Sequence, residues 1–344
     1  MSVLEPILDR GLPEPLLRIG IRRLLKQRLK EEDGGSPENR KARLAQFISE
    51  MDASPIALQT QAANEQHYEV PPRFFELVLG PRLKYSACWW EPETLFLEEA
   101  ELNMLALTAE RAGIADGQDI LELCCGWGSL TLFLAQLFPH SRITAVSNSR
   151  AQKEFILNRA RQGGLSNVRL LTRDMNEFQA DTKYDRVVSV EMFEHMRNYR
   201  KLLQRVAGFL KPEGRLFLHI VVHREFAYSF VSRGAGDWMA RHFFSGGMMP
   251  SADLLLRFQE HLRVKERWDV SGLHYQKTAE AWLRNHEAHR AEIVELFNAA
   301  YGAGEGGRWW NRWKIFFLSC SELWGYRNGD EWFIGHYVMA PGRE

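Results

Sequence analysis

Leu121-Glu122-Leu123-Cys124-Cys125-Gly126-Trp127-Gly128-Ser129 runs an apolar strand into a tight glycine turn and on into a helix. Ile120 to Leu123 are β-branched or apolar at alternate positions, and Ser129 to Leu137 has helical spacing. Gly126 and Gly128 can take positive φ and let the backbone approach a ligand closely. The crevice beyond such a strand is where open α/β sheets hold nucleotide-like ligands. Taken alone, Gly-x-Gly is equally a plain βα connection. Further strands and helices follow at regular spacing. Arg142 to Ser147 leads into a helix over Arg150 to Arg161, and Val168 to Thr172 ends at Asp174, followed by Tyr184 to Val190 and Arg215 to Val221. Alternation of this length predicts a parallel sheet with helices on both faces.

Residues that are missing narrow the ligand. A dinucleotide site wants a third glycine near position 131 and an acidic residue about 20 positions past the glycines. Position 131 is Thr131, and the second strand ends in Ser147-Asn148-Ser149. Asp174, at the end of the third strand, suits an exocyclic adenine amine, because a carboxylate accepts from it. An adenosine ligand without a pyrophosphate fits better than NAD, which points to S-adenosylmethionine.

Four blocks in the same order carry a family resemblance: Leu121 to Leu132, Val146-Ser147-Asn148-Ser149-Arg150-Ala151-Gln152-Lys153, Val188 to Tyr199, and Asn328-Gly329-Asp330-Glu331-Trp332. From about Leu16 to Met339 the chain resembles the coclaurine N-methyltransferases, a group related to the cyclopropane-fatty-acyl-phospholipid synthases. The resemblance implies an α/β, Rossmann-like class I methyltransferase fold, a seven-stranded and mostly parallel sheet with a helical N-terminal extension and a lid insertion. It implies a donor site of Tyr85 and Ser86, Glu122, Gly126 and Gly128, Asn148 and Gln152 toward the ribose, and Asp174 and Met175 at the adenine. Cys320 matches a cysteine assigned to the active site in this family. A small thiol at helical spacing is more often buried filler, and methyl transfer from sulfur needs no protein nucleophile.

Glu191-x-x-Glu194-His195 follows the fourth strand directly. If a helical turn begins there, the three side chains share one face at the carboxyl end of the sheet. An amine attacks a sulfonium methyl only through a free lone pair, so its ammonium must first lose a proton. A carboxylate can bind the ammonium and a histidine can accept its proton near neutral pH. Glu194 and His195 are the candidates, with Glu191 as a second anion. The plainer alternative is a helix-start cap with a satisfied histidine. In the N-methyltransferases the residue three before the shared glutamate is acidic, as Glu191 is, where the cyclopropane synthases carry glycine. Those synthases read Tyr-Ser-Cys-Ala-Tyr-Trp with a bicarbonate-binding cysteine. Here Tyr85-Ser86-Ala87-Cys88-Trp89-Trp90 puts Ala87 in its place. His219 matches a bicarbonate-binding histidine of the synthases, and the N-methyltransferases also keep a histidine near this point. The expected reaction is methylation of a small apolar amine of tetrahydroisoquinoline type. Methylation or cyclopropanation of unsaturated acyl chains is the alternative, and a nucleoside-binding module without turnover is the reading from outside enzymology.

Composition agrees with a large cored enzyme. The chain has 344 residues, a formal net charge of zero and 45% hydrophobic residues, so a basic excess for nucleic acid is absent. Its apolar runs fall short of the roughly 20 residues that span a bilayer, and Glu5, Asp9, Pro13, Glu14 and Pro15 break any signal-peptide form. Four cysteines, two of them adjacent, make neither a disulfide framework nor a metal site. A cytoplasmic enzyme without a metal is expected, and monomer or homodimer is left open.

Three segments are expected: a helical extension over 1–54, a lead-in over 55–117 with donor and substrate contacts, and a donor-binding domain over 118–344. Leu16, Leu17, Ile19, Ile21, Leu24, Leu25 and Leu29 alternate with Arg18, Arg22, Arg23, Lys26, Arg28 and Lys30. Such a helix either lies on a membrane surface or docks on the body, and its lack of interfacial aromatics favours docking. The insertion over 223–250 carries Phe226, Tyr228, Phe230, Trp238, Phe243 and Phe244, with Asp237, Arg241 and His242 as polar contacts. It is expected to be a lid over an apolar cationic substrate, or else a cover on the sheet's edge. Trp324, Tyr326 and Trp332 flank the Asn328-Gly329 step, read as a hairpin-like bend with structural aromatics.

Overall fold

The computed structural model describes residues 8–58, 70–230, 243 and 246–342. Strands β1 (Asp119–Leu123), β2 (Arg142–Ser147), β3 (Val168–Thr172), β4 (Tyr184–Val190), β5 (Leu210–His223), β8 (Leu262–Val270) and β9 (Trp332–Pro341) form one sheet in the order β3-β2-β1-β4-β5-β9-β8. A two-residue pair, β6 (Tyr228–Ser229) with β7 (Met248–Met249), stands apart. The first five strands are parallel, and β9 runs antiparallel between β5 and β8. This is the seven-stranded class I methyltransferase sheet.

In β1, Ile120, Leu121 and Leu123 are all buried, as expected for a strand with helices on both faces. Strand order reverses where β1 lies between β2 and β4, with Leu123 paired to Val146 and Ser189. The loops leaving β1 and β4 therefore diverge around a crevice at their carboxyl ends. That places the glycine turn and Glu191 side by side.

The central helices α5 (Ser129–Leu137) and α6 (Arg150–Gln162) stand close to their sequence expectation. Strand β5 starts five residues earlier than its apolar run, because Leu210 pairs with Tyr184 across a register shift. The bend before β9 is also different. It is a short 3-10 turn over Tyr326–Gly329 in which Arg327 (φ 48°) and Asn328 (φ 59°) are left-handed, and it links a helix to a strand.

Helices α1 (Glu14–Asp33), α2 (Pro37–Ala53), α3 (Pro72–Val78) and α4 (Leu97–Arg111) precede the sheet. Helix α7 (Tyr199–Phe209) separates β4 from β5, and α8 (Gly272–Ala288), α9 (Arg290–Tyr301) and α10 (Gly306–Trp324) separate β8 from β9. An aromatic core that includes Phe74, Phe75, Trp282, Trp313 and Phe317 joins α3, α8 and α10 above the sheet. Helix α1 docks there. Arg18 and Arg22 both donate to the buried Glu322 of α10, and Arg18 Nη1 also lies 2.8 Å from Glu280. Part of the basic face is thus consumed in ion pairs, while Leu16 and Ile19 stay exposed. Among the described residues no helix is long and apolar enough to cross a membrane.

Candidate active site

A cavity of about 650 Å³ lies at the carboxyl end of the sheet, within the usual range for small-molecule sites. Tyr85, Ser86, Glu122, Gly126, Gln152, Glu191, Glu194, His195 and Cys320 all line it. Gly128, Asn148, Asp174 and Met175 are not part of its wall. Gly128 caps α5, Asn148 follows β2, and Asp174 and Met175 follow β3.

The turn after β1 is left-handed at Cys124 (φ 65°), Gly126 (φ 50°) and Gly128 (φ 81°). A Cβ on Gly126 would meet nothing within 4 Å, whereas one on Gly128 would lie 2.7 Å from Ile156. The first glycine leaves room beside the crevice, and the second lets α6 pack against the turn. Glu122 accepts from the Thr131 hydroxyl, and burial pushes its carboxyl up to about 8. Gln152 accepts from the Ser147 hydroxyl at 2.7 Å through Oε1. Gln152 Nε2, Ser129 Oγ, Trp127 Nε1 and Asn148 Oδ1 are buried without a hydrogen-bond partner among the described residues. Buried polar atoms normally have partners, so this cluster beside a glycine turn suits a polar nucleoside. The residues present fit S-adenosylmethionine.

The other end of the cavity is acidic. Glu191 does not share a helical face with Glu194 and His195. It sits before a 3-10 turn over Phe193–His195, with its own backbone left-handed at φ 47°. A non-glycine residue there is strained, and here its side chain is turned into the sheet crevice. Glu191 Oε1 accepts from the Ala87 N–H at 2.8 Å and lies 3.2 Å from His219 Nε2; Oε2 accepts from the Tyr275 hydroxyl at 2.8 Å. Burial raises the Glu191 carboxyl, opposed by the Lys84 charge and these hydrogen bonds. Glu194 is pushed well above the usual carboxylate range by burial and then by the Glu191 charge, and its Oε2 has no partner among the described residues. His195 is pushed down to about 4 by burial and so is neutral near pH 7.

Several wall residues escaped the sequence reading. Lys84 is buried, donates to Ser86 Oγ and to the Ala87 carbonyl, and has its pKa lowered by burial. Its only local signal is adjacency to Tyr85-Ser86. Tyr275 of α8 has no local signal; its ring stacks on Trp324 at 4.8 Å and 8°. Trp324, read from sequence as structural, is cavity wall, as are Ile21, Leu24 and Leu25 of α1. From the insertion, Tyr228, Phe230 and Met249 line the cavity, and Phe243 packs on Trp313 and Phe316. Trp238, Phe244, Asp237, Arg241 and His242 lie outside the described residues. Trp332 is fully buried and donates to the Tyr228 hydroxyl, a structural role. Burial, and then the Glu191 charge, push the Cys320 thiol far up, so it is a protonated wall residue and no thiolate nucleophile.

Comparisons with known proteins bear on the family and the fold. Residues 57–329 match the family model described as mycolic acid cyclopropane synthetase. The (S)-coclaurine N-methyltransferase of Thalictrum flavum subsp. glaucum is 37% identical over 337 residues, 96% of this chain and 93% of that protein. The crystal structure of coclaurine N-methyltransferase bound to N-methylheliamine and SAH superposes with a TM-score of 0.95 at 35% identity, covering 98% of each chain. The cyclopropane synthase MmaA2 from Mycobacterium tuberculosis shares the fold, with a TM-score of 0.69 at 20% identity over 83% of this chain and 99% of that one. With its glycine turn, nucleoside crevice and acidic pocket, this chain belongs to the mycolic acid cyclopropane synthetase family of S-adenosylmethionine-dependent methyltransferases, alongside the coclaurine N-methyltransferases.

Proposed function

We propose that this enzyme methylates the nitrogen of a small apolar amine of the tetrahydroisoquinoline type. The observation that carries this reading is that Glu191 and Glu194 line a cavity whose wall also holds the aromatic rings of Tyr228, Phe230, Tyr275, Phe316 and Trp324. Such a pocket favours a cation whose body is apolar. When bound, the donor supplies an electrophilic methyl on a sulfonium sulfur. Glu194 holds the substrate ammonium, and neutral His195 accepts its proton, freeing the lone pair. The N–C bond then forms as the C–S bond breaks, and the positive charge passes from sulfur to nitrogen, leaving a neutral thioether and an N-methylated ammonium. Of the wall residues, Tyr85, Ser86, Glu122, Gly126 and Gln152 are assigned to the donor and the insertion's aromatics to closing the apolar side; Gly128, Asn148, Asp174 and Met175, off the wall, are assigned to the donor on the family resemblance alone.

The family model raises acyl-chain cyclopropanation as a second chemistry, and Glu191 speaks against it. Its carboxylate takes the Ala87 N–H and sits on His219, the two positions that match bicarbonate binders in the cyclopropane synthases. A fixed side-chain anion already fills that place. The test is mass spectrometry of products after incubation with methyl-labelled donor and two panels, small secondary or tertiary amines and unsaturated phospholipids. Label on an amine supports the proposal. Label on lipid alone overturns it and makes α1 a membrane contact.

A further inference from the structure

Behind Glu191 runs a buried chain of hydrogen bonds that ends on an arginine outside the cavity wall. His219 of β5 and His336 of β9 are cross-strand partners, and both are almost completely buried. His336 Nε2 lies 2.9 Å from His219 Nδ1, and His336 Nδ1 lies 2.7 Å from Arg111 Nη1. Arg111 ends α4, with its guanidinium over the rings of Trp268 (4.8 Å) and Trp89 (6.0 Å). Burial disfavours its charge and the Glu110 charge favours it.

The direction of every proton in this chain follows from one end. A guanidinium only donates, so His336 Nδ1 must accept. A neutral imidazole has one N–H, which then sits on Nε2 and donates to His219 Nδ1. The His219 proton is in turn forced onto Nε2, 3.2 Å from Glu191 Oε1. Burial, reinforced by the positive charges of Arg111 and Lys84, keeps both histidines neutral.

We propose that Arg111 is a positioning residue of the methyl-transfer site: it sets both histidine tautomers and so keeps a donor aimed at Glu191, holding that side chain as the anion. This rests on the amine-methylation reading only for the role of Glu191. Without Arg111, His336 can carry its proton on Nδ1. His219 Nε2 then faces the carboxylate as a lone pair, and Glu191 is driven to bind a proton. The other titratable groups that interact with the Glu191 charge are Lys84, Tyr85, Cys88, Glu194, His195, Tyr275 and Cys320, and the substitution leaves all of them present.

The test uses the full chain labelled with ¹⁵N-histidine. Long-range proton-nitrogen spectra of the wild type are expected to show His219 and His336 both protonated on Nε2; a proton on Nδ1 of either overturns the proposal. Arg111→Leu is expected to change the His336 tautomer and lower kcat/KM for the amine about tenfold at neutral pH, with Arg111→Lys restoring both. A folded Arg111→Leu protein with wild-type tautomers and wild-type kcat/KM overturns it. If the leucine variant does not fold, the wild-type tautomers and the lysine variant decide. Should no amine be methylated at all, the functional reading fails while the tautomers still judge this inference.

Discussion

The Tyr275 hydroxyl donates to Glu191 Oε2 at 2.8 Å, joining α8 to the turn after β4 across 84 positions of sequence. The same ring stacks on Trp324, so one side chain both restrains the anion and forms apolar wall. Tyr275→Phe keeps the stacking and removes the donor. We expect kcat/KM for the amine to fall about tenfold, the usual scale for a hydrogen bond to a charged group. Calorimetric titration with S-adenosylmethionine should show unchanged donor affinity; a weakened donor affinity would move Tyr275 to the other half of the site.

The acid limb of activity should reflect Glu194. Burial and the Glu191 charge raise its pKa, so its negative charge is present at high pH and is lost as pH falls through that raised value. The limb is therefore expected well above the ordinary glutamate value of about 4.3. His195, held down to about 4, is neutral throughout that window and does not set it. Glu194→Gln should lower kcat on the order of a hundredfold and abolish the limb. A kcat/KM profile with its acid limb near 4 in the wild type would falsify this assignment.

Glu122 gives a stability prediction in the absence of donor. Its folded pKa of about 8 lies above the value in an unfolded chain, so the folded protein keeps a proton that the unfolded chain releases. Stability contributed by that proton is present at low pH and declines as pH rises from about 4.3 to about 8. Glu122→Gln can still accept from Thr131 and removes the penalty, roughly 3 kcal/mol at pH 7. Thermal melts of the two proteins from pH 5 to pH 8 should diverge as pH rises; parallel curves would show that Glu122 is not protonated in the fold.

Glu322 anchors α1 through Arg18 and Arg22, and α1 supplies Ile21, Leu24 and Leu25 to the cavity. Glu322→Ala leaves the half-buried Arg18 with less compensation, a loss of about 2 kcal/mol after allowing for the exposure of Arg22. Limited proteolysis should cut within 14–33 sooner than in the wild type. KM for the amine should rise several-fold with kcat nearly unchanged, the pattern of lost uniform binding. Equal cutting rates would mean that the apolar face alone holds the helix.

The sheet was readable because its signal is local. The apolar strands β1 to β4 lie within a residue of their periodic runs, and the Gly126-x-Gly128 turn sits where a strand pattern gives way to a helical one. Glu191, Glu194 and His195 were legible as a group because they follow β4 at short spacing. Their arrangement was not. A helical face was expected, and the chain instead turns left-handed at Glu191 before a 3-10 turn. Spacing cannot report a backbone conformation that only surrounding contacts maintain.

The sequence by itself determined the α/β order, the glycine turn, and which strand end bears the acidic pair, since period-2 and period-3.6 patterns are properties of neighbouring residues. Only the tertiary structure decided what those carboxylates touch. Ala87, His219 and Tyr275 come to Glu191 from three separate parts of the chain, and His336 reaches His219 only because β9 pairs antiparallel with β5. Ile21, Leu24 and Leu25 read as one stripe of an amphipathic helix, and the docking of α1 on α10 is what makes them cavity wall. Strand pairing and helix docking join residues by buried surface and hydrogen bonds between distant segments, and such contacts leave no periodic trace in the sequence.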